Sequence, residues 1–308
     1  MVVLIVILSI LGLLLIGFLS ILLYIYWLIF YSPHKGQNED YNIYTNPTYK
    51  DCLKEVEELI NHIRSLPSED VYTISKDKKK LHAKLIRVEN SKKVAICCHG
   101  YHGTPYRDFS GGGARLHELG YNVLLIEQRA HKDSEGHTIT FGRKEQYDIL
   151  AWIKKVEEIF TKDIELVLVG ISMGGASVLM VSNKLEKPCK IIADCPYNSI
   201  KDVLCSNIIG LGLNPKLVYP LVKLSALIFA HINTDHGPAI KSVNESKCKF
   251  LIIHGNKDTI VPHHYSEDIY LANKDKVQYE IFDNTAHGMS YITDTKRYVK
   301  LVKEFLNS

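Results

Sequence analysis

Five consecutive residues, Gly170-Ile171-Ser172-Met173-Gly174, set a serine between glycines in the pattern G-x-S-x-G. A serine at the tip of a sharp strand-to-helix turn is strained, and its neighbours two positions away must lack side chains to avoid collision. The turn lifts the hydroxyl out of the sheet and aims a helix N-terminus, with its partial positive charge, at the same point. Such a serine is a nucleophile once a base takes its proton. His287, in Asp283-Asn284-Thr285-Ala286-His287-Gly288, is the candidate base. Asp258, in the stretch His254 to Pro262, is the candidate acid that would hold the imidazole tautomer and stabilise its charge. Asp194 also ends an apolar run and is the competing acid. Asp283 is too close in sequence to His287, and Asp268 falls in a helical stretch.

Other chemistries fit less well. His99, His102, His254, His263 and His264 lack the spacing of a zinc site. Gly111-Gly112-Gly113 lacks the Lys-Ser/Thr that completes a phosphate loop. The seven cysteines are odd in number and form no CxxC pair, so no disulfide framework is indicated. No metal and no cofactor is implied. The net charge of +3 comes without a long basic run, which gives no sign of a nucleic-acid partner.

The candidate residues need a scaffold. Two strands are expected within Val71 to Val88, joined by a lysine-rich turn at Lys76 to Lys80. Apolar runs of strand length follow at 94–98, 122–126, 164–169, 191–193, 250–253 and 277–282. Helical patterns lie at 49–66, 113–119, 145–160, 176–185 and 296–306. Continuous apolar strands alternating with helices predict an α/β fold with a parallel sheet covered on both faces. Ser172, Asp258 and His287 then all fall at C-terminal strand ends, where open α/β sheets place their sites. Arg129, Ser134 and Glu135 read as braces of the loop after the strand at 122–126.

Three regions lie outside this alternation. Residues 1–31 are uncharged and apolar, with Tyr24, Tyr26, Trp27 and Tyr31 at the C-terminal end, as expected of a transmembrane anchor with an aromatic belt. A signal peptide would have a basic start, a shorter core and a cleavage site. Lys35, Lys50 and Lys54 follow this stretch and no Lys or Arg precedes it, which by the positive-inside rule favours a cytoplasmic domain. Residues 32–48 are expected to be a juxtamembrane linker and 49–308 the folded domain. Residues 196–248 form an insert whose apolar stretch, Leu217 to Ile232, is either a core helix or a short cap lining an acyl pocket.

From about residue 70 onward the chain resembles the α/β-hydrolase superfamily. Within it, the chain is similar to the serine aminopeptidase-like and monoacylglycerol-lipase-like branch, especially its bacterial membrane-anchored members. The matching pieces are His99-Gly100, Glu127 to His131 with Ser134-Glu135-Gly136, the Ser172 turn, the His254 to Pro262 segment, and His287. Glu127 stands where related chains often carry Asp. The resemblance implies an α/β-hydrolase fold and a Ser172-His287-Asp258 triad. It implies an oxyanion hole made by the backbone N–H groups of Met173 and Tyr101. The expected activity is cleavage of carboxylic ester, thioester or amide bonds of small or lipid-like acyl substrates through an acyl-enzyme. The alternatives are a serine aminopeptidase-type peptidase and a non-enzymatic membrane-bound binding protein on the same scaffold.

Overall fold

The computed structural model describes residues 1–33, 43–44, 47–161 and 163–308. Eight strands form one sheet in the order β1-β2-β4-β3-β5-β6-β7-β8. They are β1 (Ser68–Ile74), β2 (Lys80–Ile86), β3 (Lys93–Cys98), β4 (Asn122–Ile126), β5 (Glu165–Ile171), β6 (Lys190–Asp194), β7 (Lys249–Gly255) and β8 (Val277–Phe282). From β4 to β8 every pairing is parallel. β1 pairs antiparallel with β2, and β2 antiparallel with β4. The expected parallel sheet therefore carries an antiparallel edge. A short turn can join β1 to β2 only in that sense, because a parallel pair needs a long crossover.

The helices are α1 (Val2–Ile29), α2 (Leu53–Ser65), α3 (Pro105–Asp108), α4 (Gly112–Glu118), α5 (Glu145–Phe160), α6 (Met173–Val181), α7 (Ile200–Gly210), α8 (Pro215–Ser225), α9 (Ala239–Glu245), α10 (His264–Leu271), α11 (Ser290–Thr293) and α12 (Thr295–Asn307). Side chains alternate across a strand, so β3 feeds both faces of the sheet. Val94, Ile96 and Cys98 enter one core with Trp152 of α5 and Leu179 of α6. Ala95 and Cys97 enter the other with Ile63 of α2, Leu116 of α4 and Val302 of α12.

α1 is long and apolar enough to cross a membrane. Its last turns belong to the folded body. Phe30 is fully buried in the main core, edge-on to Phe141 with ring centroids 5.7 Å apart. The Ile139 N–H donates to the Phe30 carbonyl, and the Ser32 N–H donates to the His137 carbonyl. The expected linker, residues 32–48, lies mostly outside the described residues. Within it, Ile43 is buried against Val56 and Ile60 of α2, and Pro47–Tyr49 form a 3-10 turn.

The insert holds α7, α8, a π-helical turn at Ala226–Ala230, and α9. α8 and the π turn pack along α1. The Ser225 hydroxyl donates to the Leu22 carbonyl at 2.7 Å.

Candidate active site

β5 runs directly into α6, and Ser172 is the hinge between them. Its backbone takes φ 54 and ψ −114, a strained pair for a residue with a side chain. The flanking glycines explain how the turn closes. A Cβ on Gly170 would lie 2.3 Å from the Gly174 carbonyl oxygen, and one on Gly174 would lie 1.8 Å from the Cys98 carbonyl oxygen. The Ser172 N–H donates to the Asp194 carbonyl at 2.8 Å, which ties the turn to the end of β6.

His287 follows β8 and Asp258 follows β7. Ser172 Oγ lies 2.9 Å from His287 Nε2, and His287 Nδ1 lies 2.6 Å from Asp258 Oδ2. A carboxylate can only accept, so Nδ1 carries the ring proton and Nε2 is left to accept from the serine hydroxyl. Asp258 Oδ1 accepts the backbone N–H groups of Ile260 and Val261 at 2.9 and 2.8 Å. Oδ2 also lies 3.2 Å from Nε2 of the fully buried His254. Burial alone would raise the Asp258 pKa. Hydrogen bonds from His254 and His287 outweigh it and hold the carboxyl well below the usual carboxylate range.

Asp194, the competing acid, faces elsewhere. Its Oδ1 accepts from the Ser290 hydroxyl at 3.0 Å. Burial pushes its carboxyl up to about 6, with the Ser290 hydrogen bond opposing. Asp283 accepts from the Asn256 amide, and Asp268 lies on α10.

The loop after β3 forms the opposite wall. Gly103 N–H donates to the Gly100 carbonyl at 3.0 Å, and His102 takes the positive φ (48) that this turn requires. That hydrogen bond does not consume the Tyr101 N–H. The turn is held from below by Asp108, whose Oδ2 accepts the Gly100 N–H at 2.7 Å. Burial would raise the Asp108 pKa, but the adjoining Arg107 guanidinium outweighs it and keeps the carboxyl below its ordinary value. The Tyr101 hydroxyl donates to the Ile29 carbonyl of α1 at 2.9 Å, and its ring stacks on Phe141.

Ser172 and His287 open into a cavity of about 380 Å³. Its walls come from Tyr49 and Val56, the Gly100–His102 turn, Ile260, and Tyr291 with Ile292. No described residue of the insert lines it, so the pocket wall weighed for the insert comes instead from the segment before β1 and from α11. A larger depression, about 650 Å³, lies by the starts of β5 and β6 and holds none of the candidate residues. That depression was not foreseen. The roles of His254 and Asp108 also escaped the sequence reading, since both depend on contacts through space.

Among the described residues, two groups bring ligand atoms close enough to share an ion: Cys195, Asp258 and His287, and His82, Glu127 and Asp133. The first overlaps the serine site. Arg129 pairs with Asp148 and Asp77, Ser134 donates to the Glu127 carbonyl, and Glu135 accepts the Lys80 N–H. These contacts hold the loop after β4 against β2.

Residues 89–235 match the family described as "Serine aminopeptidase, S33". The chain is 25% identical to the uncharacterized protein YqkD of Bacillus subtilis over 62% of its length and 64% of that protein. It is 27% identical to the uncharacterized membrane protein YNL320W of Saccharomyces cerevisiae, covering 80% and 84%. It is 25% identical to the lysophosphatidylserine lipase ABHD12 of Danio rerio, covering 71% of this chain and 59% of that one. The match thus spans under two thirds of YqkD and of the zebrafish lipase. Among solved structures, the Pyrococcus furiosus esterase Pf2001 superposes with a TM-score of 0.66 at 24% identity, covering 82% of this chain and 92% of the esterase. With its sheet order and the strained turn at Ser172, the chain has the α/β-hydrolase fold, and its residues 89–235 resemble the serine aminopeptidase family.

Proposed function

We propose that the chain is a membrane-anchored serine hydrolase that cleaves carboxylic esters of lipophilic acyl substrates. The observation that carries this reading is the unbroken contact from Ser172 Oγ to His287 to Asp258 at the floor of a cavity. His287 Nε2 takes the hydroxyl proton as Ser172 Oγ bonds to the acyl carbonyl carbon. The developing oxyanion is held by the N–H groups of Met173 and Tyr101. The tetrahedral intermediate collapses, the C–O bond to the alcohol breaks, and the imidazolium returns its proton to the leaving alcohol. Water then repeats the sequence on the acyl-serine and frees the acid.

The cavity favours esters over peptides with a free amino terminus. A peptidase of that kind needs an available carboxylate to receive an α-ammonium. The only carboxylate among the described lining residues is Asp108, and it is engaged by Gly100 and Arg107. The walls also offer Val56, Ile260 and Ile292 with the rings of Tyr49, Tyr101 and Tyr291, beside Arg107 and His102. The zebrafish relative is a lipase and the archaeal neighbour an esterase, which supports the same bond class. A fluorophosphonate probe tests the reading. Labelling of the full-length protein that is lost in Ser172→Ala supports the enzyme; a folded protein that takes no label supports a binding role. A panel of monoacyl esters and aminoacyl amides then decides the bond, and faster turnover of the amides would overturn the ester assignment.

A further inference from the structure

The hairpin of α7 and α8 leaves the body beside α1, and the contacts fix its direction. Ser225 meets Leu22, and Phe229 meets Tyr26 with ring centroids 5.8 Å apart. Passing from 225 to 229 in the insert therefore runs the same way as passing from 22 to 26 in α1. α8 extends from Ser225 back to Pro215, about 15 Å at 1.5 Å per residue. Its start, and the turn joining it to α7, point toward the N-terminal end of α1.

That tip is apolar and uncovered. No charged residue occurs from Val203 to Pro215. Ile209, Leu211 and Leu217 are 60%, 74% and 73% exposed, while Ile208 beside them is buried and holds the turn to the hairpin. These three and Leu213, itself 49% exposed, would forgo the gain of burial if left in water. Nearer the body, Tyr24 and Trp27 of α1 and Leu227 and Ile228 of the π turn are all exposed. The Leu22–Ser225 and Tyr26–Phe229 contacts put these four at one level. From Val2 to Tyr24 α1 is about 33 Å long, which matches the roughly 30 Å hydrocarbon core. Lys223, nearer the body, pairs with Asp235, and Lys216 stands at the start of α8.

We propose that the α7–α8 tip, centred on Leu211 and Leu213, is embedded in the acyl chains of the leaflet that α1 enters on the domain's side. The insert then serves as a second membrane foot instead of a wall of the cavity. The occupant is lipid because the patch continues the apolar surface of α1 at a depth set by the Tyr24–Trp27 level. This rests on the membrane-anchored reading of α1.

The test uses the full chain in phosphatidylcholine vesicles, with acyl chains brominated or not, and reads tryptophan emission. Trp27 reports the anchor, and its share is the signal lost in Trp27→Phe. Leu211→Trp and, separately, Leu217→Trp report the hairpin. Leu271→Trp, at the opposite end of the sheet on α10, is the water-facing control. The added emission at 211 and 217 should be largely lost in brominated lipid and unaffected by aqueous acrylamide. The emission at 271 should behave the opposite way. Quenching of Trp27 by lipid with acrylamide quenching at 211 and 217 overturns the embedded tip and leaves the anchor intact. No lipid quenching at Trp27 overturns both. Protection at 211 from both quenchers, with cross-linking between chains, assigns the patch to a second copy and overturns the proposal.

Discussion

Asp258 Oδ2 lies within reach of two histidines, His287 at 2.6 Å and His254 at 3.2 Å, and this sharing sets what each substitution should cost. Asp258→Asn turns an acceptor-only group into one that also donates. An amide N–H facing His287 would push its proton to Nε2, which then cannot accept from Ser172. Activity should fall by about 10⁴-fold with the fold retained. Asp194→Asn, bonded to Ser290 and away from His287, should cost far less. The reverse order in measured kcat would move the acid to Asp194. On the proposed function, Ser172→Ala and His287→Ala should each lower kcat by on the order of 10⁴-fold or more, with the double variant hardly worse, as a shared proton transfer requires. Additive losses in a kinetic cycle would refute that. Asp108 acts through the turn it holds. Asp108→Ala should lower kcat by up to about 10²-fold with little change in KM, since the Tyr101 N–H would lose its fixed position. A rise in KM with kcat unchanged would make Asp108 a binding residue. Ser172, His287 and Asp258 were legible because each sits in a short local pattern after a strand. Asp108 and His254 were not, because nothing in their neighbours announces what they touch.

At the scale of elements, the strands and long helices followed from apolar runs, and the helix 145–160 and strand 277–282 have the expected bounds. What failed to show was docking between elements. Periodicity marks a buried face without naming the partner, so α8 could not be assigned to α1 instead of to a pocket. The same gap hid the end of α1. An anchor that ends in a free linker can be removed without loss, and a folded domain of residues 49–308 was expected to stand without it. Phe30 lies fully buried in the core, and Ile29 accepts from Tyr101 beside the site. Deleting residues 1–40 removes both. Burying a side chain of this kind is worth about 1.5–3 kcal/mol, and Tyr101 would also lose a buried acceptor. Deleting residues 1–20 spares them. The shorter deletion should therefore keep the thermal midpoint and esterase rate of the full chain in detergent, and the longer one should lower both. Equal midpoints for the two would restore the view of α1 as a tether alone.

Stability as a function of pH belongs to the whole molecule, and three histidines pull it in opposite directions. His82 on β2 sits between Asp70 and Glu127, at 2.6 and 2.8 Å, where the antiparallel edge joins the parallel sheet. Burial opposes its charge, but the two carboxylates outweigh burial and raise its pKa above 6.5. A base whose folded pKa is raised adds stability that is complete below its unfolded value and is lost as pH climbs through the folded one. His99, which is buried, and His102, which is exposed, lie in the turn after β3, and loss of surrounding water lowers both. Their contribution is complete above about 6.5 and fades as pH falls below it, because unfolding lets them take up protons. Asp258, held low, adds a further loss at more acid pH as it protonates. The acid and alkaline sides therefore weaken for different reasons. His82→Gln keeps a hydrogen-bonding side chain without the charge. Its thermal midpoint should lie well below the parent's near pH 6, and the gap should narrow steadily as pH rises past the folded His82 value. A gap that stays constant from pH 6 to pH 9 would mean that His82 contributes packing and neutral hydrogen bonds only, and that the charge across the β2–β4 junction carries none of the stability.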